Sequence, residues 1–205
     1  MKVLIVSDTH GLDENLEETV LREAPFDYLI HCGDVEGREI FIEALAECPC
    51  TIVAGNNDFF TDLPYEEEVT LEGHKILVTH GHHYFVSRDY DKLVENAQAK
   101  GCKIAMYGHT HMPVIENEDG ILVINPGSLT YPRQRGRRPS YAVMQIEEGK
   151  DPQVEIRSVS YTHLDVYKRQ GVELRKQNIP IRQTLEIYRS AVSYLIGICL
   201  LYTSL

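Results

Sequence analysis

Eight of the nine histidines fall between His10 and His111, and most of them stand in short polar segments with aspartate, asparagine and glycine. Five such segments recur along the chain: Asp8-Thr9-His10, Gly33-Asp34, Gly55-Asn56-Asn57-Asp58, His80-Gly81-His82 and Gly108-His109-Thr110-His111. Their side chains are imidazoles, carboxylates and amide oxygens, with no thiolate required. Mixed nitrogen and oxygen donors suit Mn, Fe, Zn or Ni better than Mg or Ca, which prefer oxygen alone. In an extended segment, residues two apart point to the same side, so Asp-x-His and His-x-His can each send two ligands toward one centre or two neighbouring ones. Seven ligand side chains exceed what one tetrahedral ion takes but suit two ions sharing a carboxylate. Two metals ~3.5–4 Å apart polarise a substrate oxygen and make hydroxide available near neutral pH.

These segments need strands to carry them. Lys2-Val3-Leu4-Ile5-Val6 is an apolar burst ending at Ser7-Asp8, as expected of a buried strand feeding a loop. Asp27–Ile30 and Thr51–Ala54 repeat the pattern before Gly33-Asp34 and Gly55-Asn56. Leu16, Val20 and Leu21 fall on one face of a helix over Asp13–Glu23, and a second helix is expected over Arg38–Ala46. Strand, helix and strand in alternation place ligands beyond the carboxyl ends of the strands. Later, hairpins are expected at Val69–Thr79, Val114–Ile124 and Tyr141–Val159, with a helix at Asp89–Lys100 and a strand at Lys103–Met106. Early βαβ units followed by hairpins imply mixed sheets. His31 and Cys32 read as packed strand-end residues, and His74 as a solvated turn residue. His83 is expected to alternate away from the site, and Glu66-Glu67-Glu68 to form a solvated approach to a strand.

In this order, Asp-x-His, Gly-Asp, Gly-Asn-x-Asp, His-Gly-His and Gly-His-x-His resemble the calcineurin-like metallophosphoesterases. Asn125-Pro126-Gly127-Ser128, with Pro132-Arg133 and Ser140-Tyr141, resembles the small prokaryotic phosphodiesterase branch; the resemblance covers roughly residues 1–158. It implies an α/β fold, a two-sheet mixed β sandwich flanked by helices. It also implies two divalent ions, manganese first, with nickel, iron or zinc as alternatives. Asp8, His10 and His111 would hold one ion, Asn56, His80 and His109 the other, and Asp34 would bridge them. Hydroxide between the metals would attack phosphorus in line, with Asp58 orienting a ligand or catalytic group. Many relatives place histidine, a proton donor to the leaving group, where this chain has Asn57. His82 could substitute, or activated esters could be the best substrates. Arg133, Asn57 and Ser128 are the candidate substrate contacts, and the Asn125–Ser128 segment is also expected to support the metal site from beneath. The expected activity is hydrolysis of a small or activated phosphodiester. A weak or inactive scaffold that binds a protein, and a phosphomonoesterase, stay open as alternatives.

The formal charge of −11 argues against a stable nucleic-acid partner or an anionic membrane, because the far field repels polyanions. Five cysteines without a CxxC pair, and a start that leads directly into a strand, fit a cytoplasmic protein; a homo-oligomer is possible. Residues 1–157 hold 14 Lys and Arg against 28 Asp and Glu, whereas residues 158–205 hold 6 against 3. Composition therefore divides the chain into a catalytic domain, 1–158, and an atypical tail, 159–205. The tail resembles adapter-derived read-through and is expected to pack little against the domain.

Overall fold

The computed structural model describes residues 1–159, so the expectations for the tail beyond Val159 lie outside the described residues. Within them run β1 (Lys2–Val6), α1 (Glu14–Glu23), β2 (Tyr28–His31), α2 (Glu39–Ala46) and β3 (Cys50–Ile52). β4 (Glu66–Leu71), β5 (His74–Thr79), α3 (Asp91–Ala99), β6 (Ile104–Met106), β7 (Val114–Glu118), β8 (Ile121–Asn125), β9 (Ser140–Gln145) and β10 (Gln153–Ser158) follow. The strands form two five-stranded sheets, ordered β10-β9-β1-β2-β3 and β4-β5-β6-β8-β7. β1–β2, β2–β3, β5–β6 and β6–β8 pair in parallel. The remaining neighbours are antiparallel, so both sheets are mixed as expected.

Period-two alternation sorts the central strands onto two apolar surfaces, which is why they read as continuous hydrophobic runs. Val3, Ile5 and Ile30 of the first sheet meet Ile76, Val78, Ile104 and Met106 of the second in one core. Leu4, Val6 and Leu29 face the other way, onto Leu16 and Val20 of α1 and Ile42 of α2. Leu77 and Ala105 take Leu93, Val94 and Ala97 of α3. The result is two sheets packed face to face with helices on their outer surfaces.

Three local expectations need correction. Leu21 is exposed, and the buried face of α1 instead includes Glu23. That carboxylate is tied down by Lys2 at 3.0 Å, Arg157 at 2.7 Å and the Tyr141 hydroxyl at 2.8 Å, a set of partners that local periodicity cannot reveal. Glu66–Glu68 belong to β4 itself. β4 is an edge strand whose charges discourage further pairing, and Lys100 clamps Glu66 and Glu68 at 2.7 and 2.9 Å. Val159, assigned by composition to the tail, is buried in the core that holds Tyr141 and Val143. Among the described residues no helix is long and apolar enough to cross a membrane, and the four cysteines are free.

Candidate metal centre

The parallel strands end side by side, and backbone bonds join the loops that leave them. Asp8 N–H donates to Gly33 O at 3.0 Å, His10 N–H to Asp34 O at 3.0 Å, and Gly108 N–H to His80 O at 3.2 Å. The loops are not extended, as the simple two-residue rule assumed. Asp8 (φ 55°), His10 (48°), Asp34 (57°), His109 (63°) and His111 (58°) all adopt left-handed backbone. Such conformations are uncommon for residues with side chains, are held in place only by surrounding structure, and cluster at functional sites. The consequence differs between the two motifs. Asp8 and His10 do converge on one cluster, whereas His109 and His111 part, one toward Asn56 and the other toward Asp8. Close packing also selects glycine. A Cβ on Gly55 would lie 2.1 Å from Asp34 Oδ1, and one on Gly108 would lie 2.0 Å from Ser7 Oγ and 2.8 Å from Asp8 Oδ2.

Asp8, His10, Asp34 and His111 each offer a ligand atom within 4.8 Å of the others, and all but His10 are buried. His111 Nε2 lies 3.1 Å from Asp8 Oδ1 and 3.4 Å from His10 Nε2. Asp34 Oδ2 lies 3.7 Å from His10 Nε2 and 3.5 Å from His80 Nε2, between this group and a second one. In the second group Asn56 Oδ1 sits 3.1 Å from His80 Nε2 and 2.8 Å from His109 Nδ1. The structure thus brings together all seven expected ligands, with Asp34 central.

The donor set fits cations. His111 Nδ1 is 2.7 Å from Tyr131 O, and His80 Nδ1 is 2.7 Å from Cys32 O. A carbonyl only accepts, so both Nδ1 atoms carry hydrogen, and in its neutral form each ring turns an Nε2 lone pair inward. His10 Nδ1 is likewise 2.9 Å from Glu36 Oε1. Lone pairs of His10 and His111 therefore face each other, and the lone pair of His80 faces an amide oxygen. Asp8 Oδ1 is buried with no hydrogen-bond partner. Inward-turned acceptors around an orphaned carboxylate oxygen are satisfied by positive charge. Burial works to raise the Asp8 carboxyl, but the His111 and His80 imidazoles outweigh it and hold the carboxyl below its ordinary range. Burial works to lower His111, and Asp8 reverses this. His109 is lowered, by burial and then by His80.

The other expected site residues take different places. Asp58 touches no ligand side chain. Its Oδ1 accepts from the N–H of Val35 at 2.8 Å and Glu36 at 2.5 Å, and its Oδ2 from Gly55 N–H at 2.7 Å. It is a positioning residue that ties two loops together, not a catalytic one. Asn57 is no free substrate contact either: its N–H donates to Asp34 Oδ1 at 2.8 Å and its Nδ2 to Asp34 Oδ2 at 2.7 Å. Ser128 is fully buried, donating to Asp8 O at 3.0 Å and accepting from Thr130 and Tyr131 N–H, so it supports the site from beneath and cannot meet substrate. His82 lies in a 3₁₀ turn, His82–Tyr84, which also overturns the alternation expected for His83. Burial and the neighbouring His83 and His80 push His82 down to about 4, which makes it a poor proton donor at neutral pH. Arg133 is exposed, with its N–H on His111 O at 3.0 Å. His31 is buried as expected, 3.0 Å from Thr9 Oγ1, and His74 instead begins β5 and reaches Glu147 O at 3.1 Å. Cys32 is buried with its thiol pushed up by burial, consistent with a packing role. Glu36 and the carbonyls of Cys32 and Tyr131 were missed; a carbonyl has no residue-type signature, whereas Glu36 could have been suspected from its place two residues after Asp34.

Comparison with known proteins agrees with this geometry. Residues 1–149 match the calcineurin-like phosphoesterase superfamily domain. The probable metallophosphoesterase YsnB of Bacillus subtilis is 41% identical over 150 residues, covering 72% of this chain and 85% of that protein. Phosphodiesterase MJ0936 of Methanocaldococcus jannaschii is 32% identical over 146 residues, covering 62% and 83%. A crystal structure from Streptococcus pneumoniae, of a conserved uncharacterized protein described as a predicted phosphoesterase, superposes with a TM-score of 0.68 at 33% identity, covering 77% of this chain and 88% of that one.

Proposed function

The chain belongs to the calcineurin-like phosphoesterase superfamily, and from that premise we propose that it is a dinuclear metal-dependent phosphodiesterase acting on a small or activated phosphodiester. The observation that carries this reading is the clustering of Asp8, His10, Asp34 and His111 donor atoms within 4.8 Å, with Asp34 also 3.5 Å from His80. Asp8, His10 and His111 would hold one divalent ion, Asn56, His80 and His109 the other, and Asp34 would serve both. Manganese is the proposed metal; nickel, iron and zinc share the same donor preference. When bound, such a pair supplies Lewis acidity toward phosphoryl oxygens and lowers the pKa of water.

The protein's own contribution is positioning. Asn57 holds both Asp34 oxygens, so the shared carboxylate does not rotate away. Asp58 fixes the two loops that carry Asp34 and Asn56. Cys32 and Tyr131 carbonyls keep two imidazoles in the tautomer that presents Nε2. Asn57 and His82 are both poor proton donors to a departing oxygen, which favours diesters whose leaving group departs as a stable anion. The acidic chain favours a small substrate over a nucleic acid, since repulsion grows with the ligand's charge.

The test is metal analysis of the full-length protein, joined to turnover of bis(p-nitrophenyl) phosphate and p-nitrophenyl phosphate. Two equivalents of metal, faster diester than monoester hydrolysis, and loss of both metal and turnover in Asp34→Ala are expected. Bound metal with no turnover of either ester would replace this reading with a scaffold. Faster monoester hydrolysis would make the protein a phosphomonoesterase.

A further inference from the structure

A cleft of about 640 Å³ opens beside the candidate centre, bounded by the chain after the 3₁₀ turn on one side and the chain after His109 on the other. Thr110, between His109 and His111, and Met112, next after His111, line it. So does Arg133, whose N–H is bonded to the His111 carbonyl. Val86, Tyr90 and Val114 complete an apolar and aromatic wall. Met112, on the lining, is 49% exposed. A large apolar side chain left in water and an apolar and aromatic wall, around a cleft within the ordinary size range of small-molecule sites, point to an organic ligand. The charges refine this. Arg88 and Arg133 line the cleft against three carboxylates, so it carries no excess of positive charge with which to trap a second phosphate.

We propose that this cleft receives the non-leaving arm of the diester, and that this arm is a nucleoside: a planar base for the apolar and aromatic wall, with polar edges for the arginines and carboxylates. The proposal rests on the phosphodiesterase reading and specifies the substrate class of that site.

Two diesters with one leaving group separate recognition from chemistry: thymidine 5′-(p-nitrophenyl phosphate) and methyl p-nitrophenyl phosphate. In each, a P–O bond forms to the oxygen of water, the aryl P–O bond breaks, and p-nitrophenolate departs with the electron pair while the water protons pass to solvent. Only the arm differs. The thymidine diester is expected to show a kcat/KM higher by roughly tenfold or more, the scale on which an apolar pocket discriminates. Met112→Ala and Arg88→Ala, both exposed positions, are expected to pull that ratio toward one, and thymidine is expected to compete with the thymidine diester. Equal turnover of the two diesters, or a ratio that neither substitution moves, would overturn the cleft assignment and leave the phosphodiesterase reading standing. Turnover of neither would defeat the reading beneath it.

Discussion

Asp8 is fully buried, and His10 and His111 beside it each have an outer partner, Glu36 Oε1 for one and the Tyr131 carbonyl for the other. Across Asp34, Asn56 is exposed and His109 half-exposed, and only His80 is both buried and held from behind, by Cys32 O. His109 has its Nδ1 on Asn56 Oδ1, which also meets His80 Nε2, so these proposed ligands lean on one another and reach the framework through His80. The difference is one of preorganisation. A group already fixed in the metal-free protein loses little conformational freedom on binding, whereas exposed side chains must be ordered by the ion. The Asp8 half should therefore bind the first and tighter ion, and the Asn56 half the second.

The largest effects test that order. His111→Ala and His109→Ala should each lower turnover by more than the roughly 10–100-fold typical of losing an outer-shell partner, because each removes a proposed ligand directly. They should differ in what they retain. After gel filtration, His109→Ala keeps about one equivalent of metal at the Asp8 half, and His111→Ala keeps little, since the weaker half is left alone. If His109→Ala loses all its metal while His111→Ala holds one equivalent, the order of the two halves is reversed.

The buried half also makes the metal-free fold sensitive to acid. His31 Nδ1 accepts from Gly33 N–H at 3.2 Å, so the neutral ring points Nε2–H at Thr9 Oγ1. Burial drives its pKa down from 6.5 to about 4. The folded-state value lies below the unfolded one, so as pH falls below 6.5 the unfolded chain takes up a proton that the folded chain refuses. The contribution is complete above pH 6.5 and lost progressively between 6.5 and about 4, amounting to about 3 kcal/mol at the lower end. Urea unfolding of metal-free protein at pH 7.5 and 4.5 should show the loss, and His31→Gln should flatten it. An unchanged pH dependence in His31→Gln would assign the acid sensitivity to the imidazoles of the centre.

How much of this could be read beforehand depends on where the information lies. Val3–Val6 announced a buried strand because both its faces meet apolar layers, and Asp, Asn and His after each such strand announced a centre. The route by which Asp8 and His10 converge could not be read that way, because left-handed backbone at alternate non-glycine positions is imposed by neighbouring loops and has no local propensity behind it. Asp58 was expected to orient a ligand or catalytic group; the partners it holds are backbone N–H groups contributed partly by another loop, which residue type does not reveal. Ser128 was expected either to support the site or to meet substrate, and only the long-range contact of its hydroxyl with the Asp8 carbonyl, 120 residues away in sequence, favours the first. Residue type reveals what a side chain can do, but burial decides whether substrate can reach it.

The smallest effect asks whether outer partners or burial give the Asp8 half its advantage. Glu36 reaches His10 from the solvent side, its side chain 39% exposed. A carboxylate at 2.9 Å orients the ring and makes Nε2 a better donor to a cation, but exposure screens its charge. Glu36→Gln keeps an oxygen able to accept from Nδ1–H and removes only the charge. Affinity for the first manganese ion should fall by about tenfold, the lower end of the range for such partners, and the second binding step should move less. Calorimetric titration of metal-free protein with manganese resolves the two steps. An unchanged first step would mean that the ring is held well enough by packing alone, and burial would account for the asymmetry. A larger fall in the second step would place the influence of Glu36 across Asp34, making the two halves one coupled unit instead of two unequal ones.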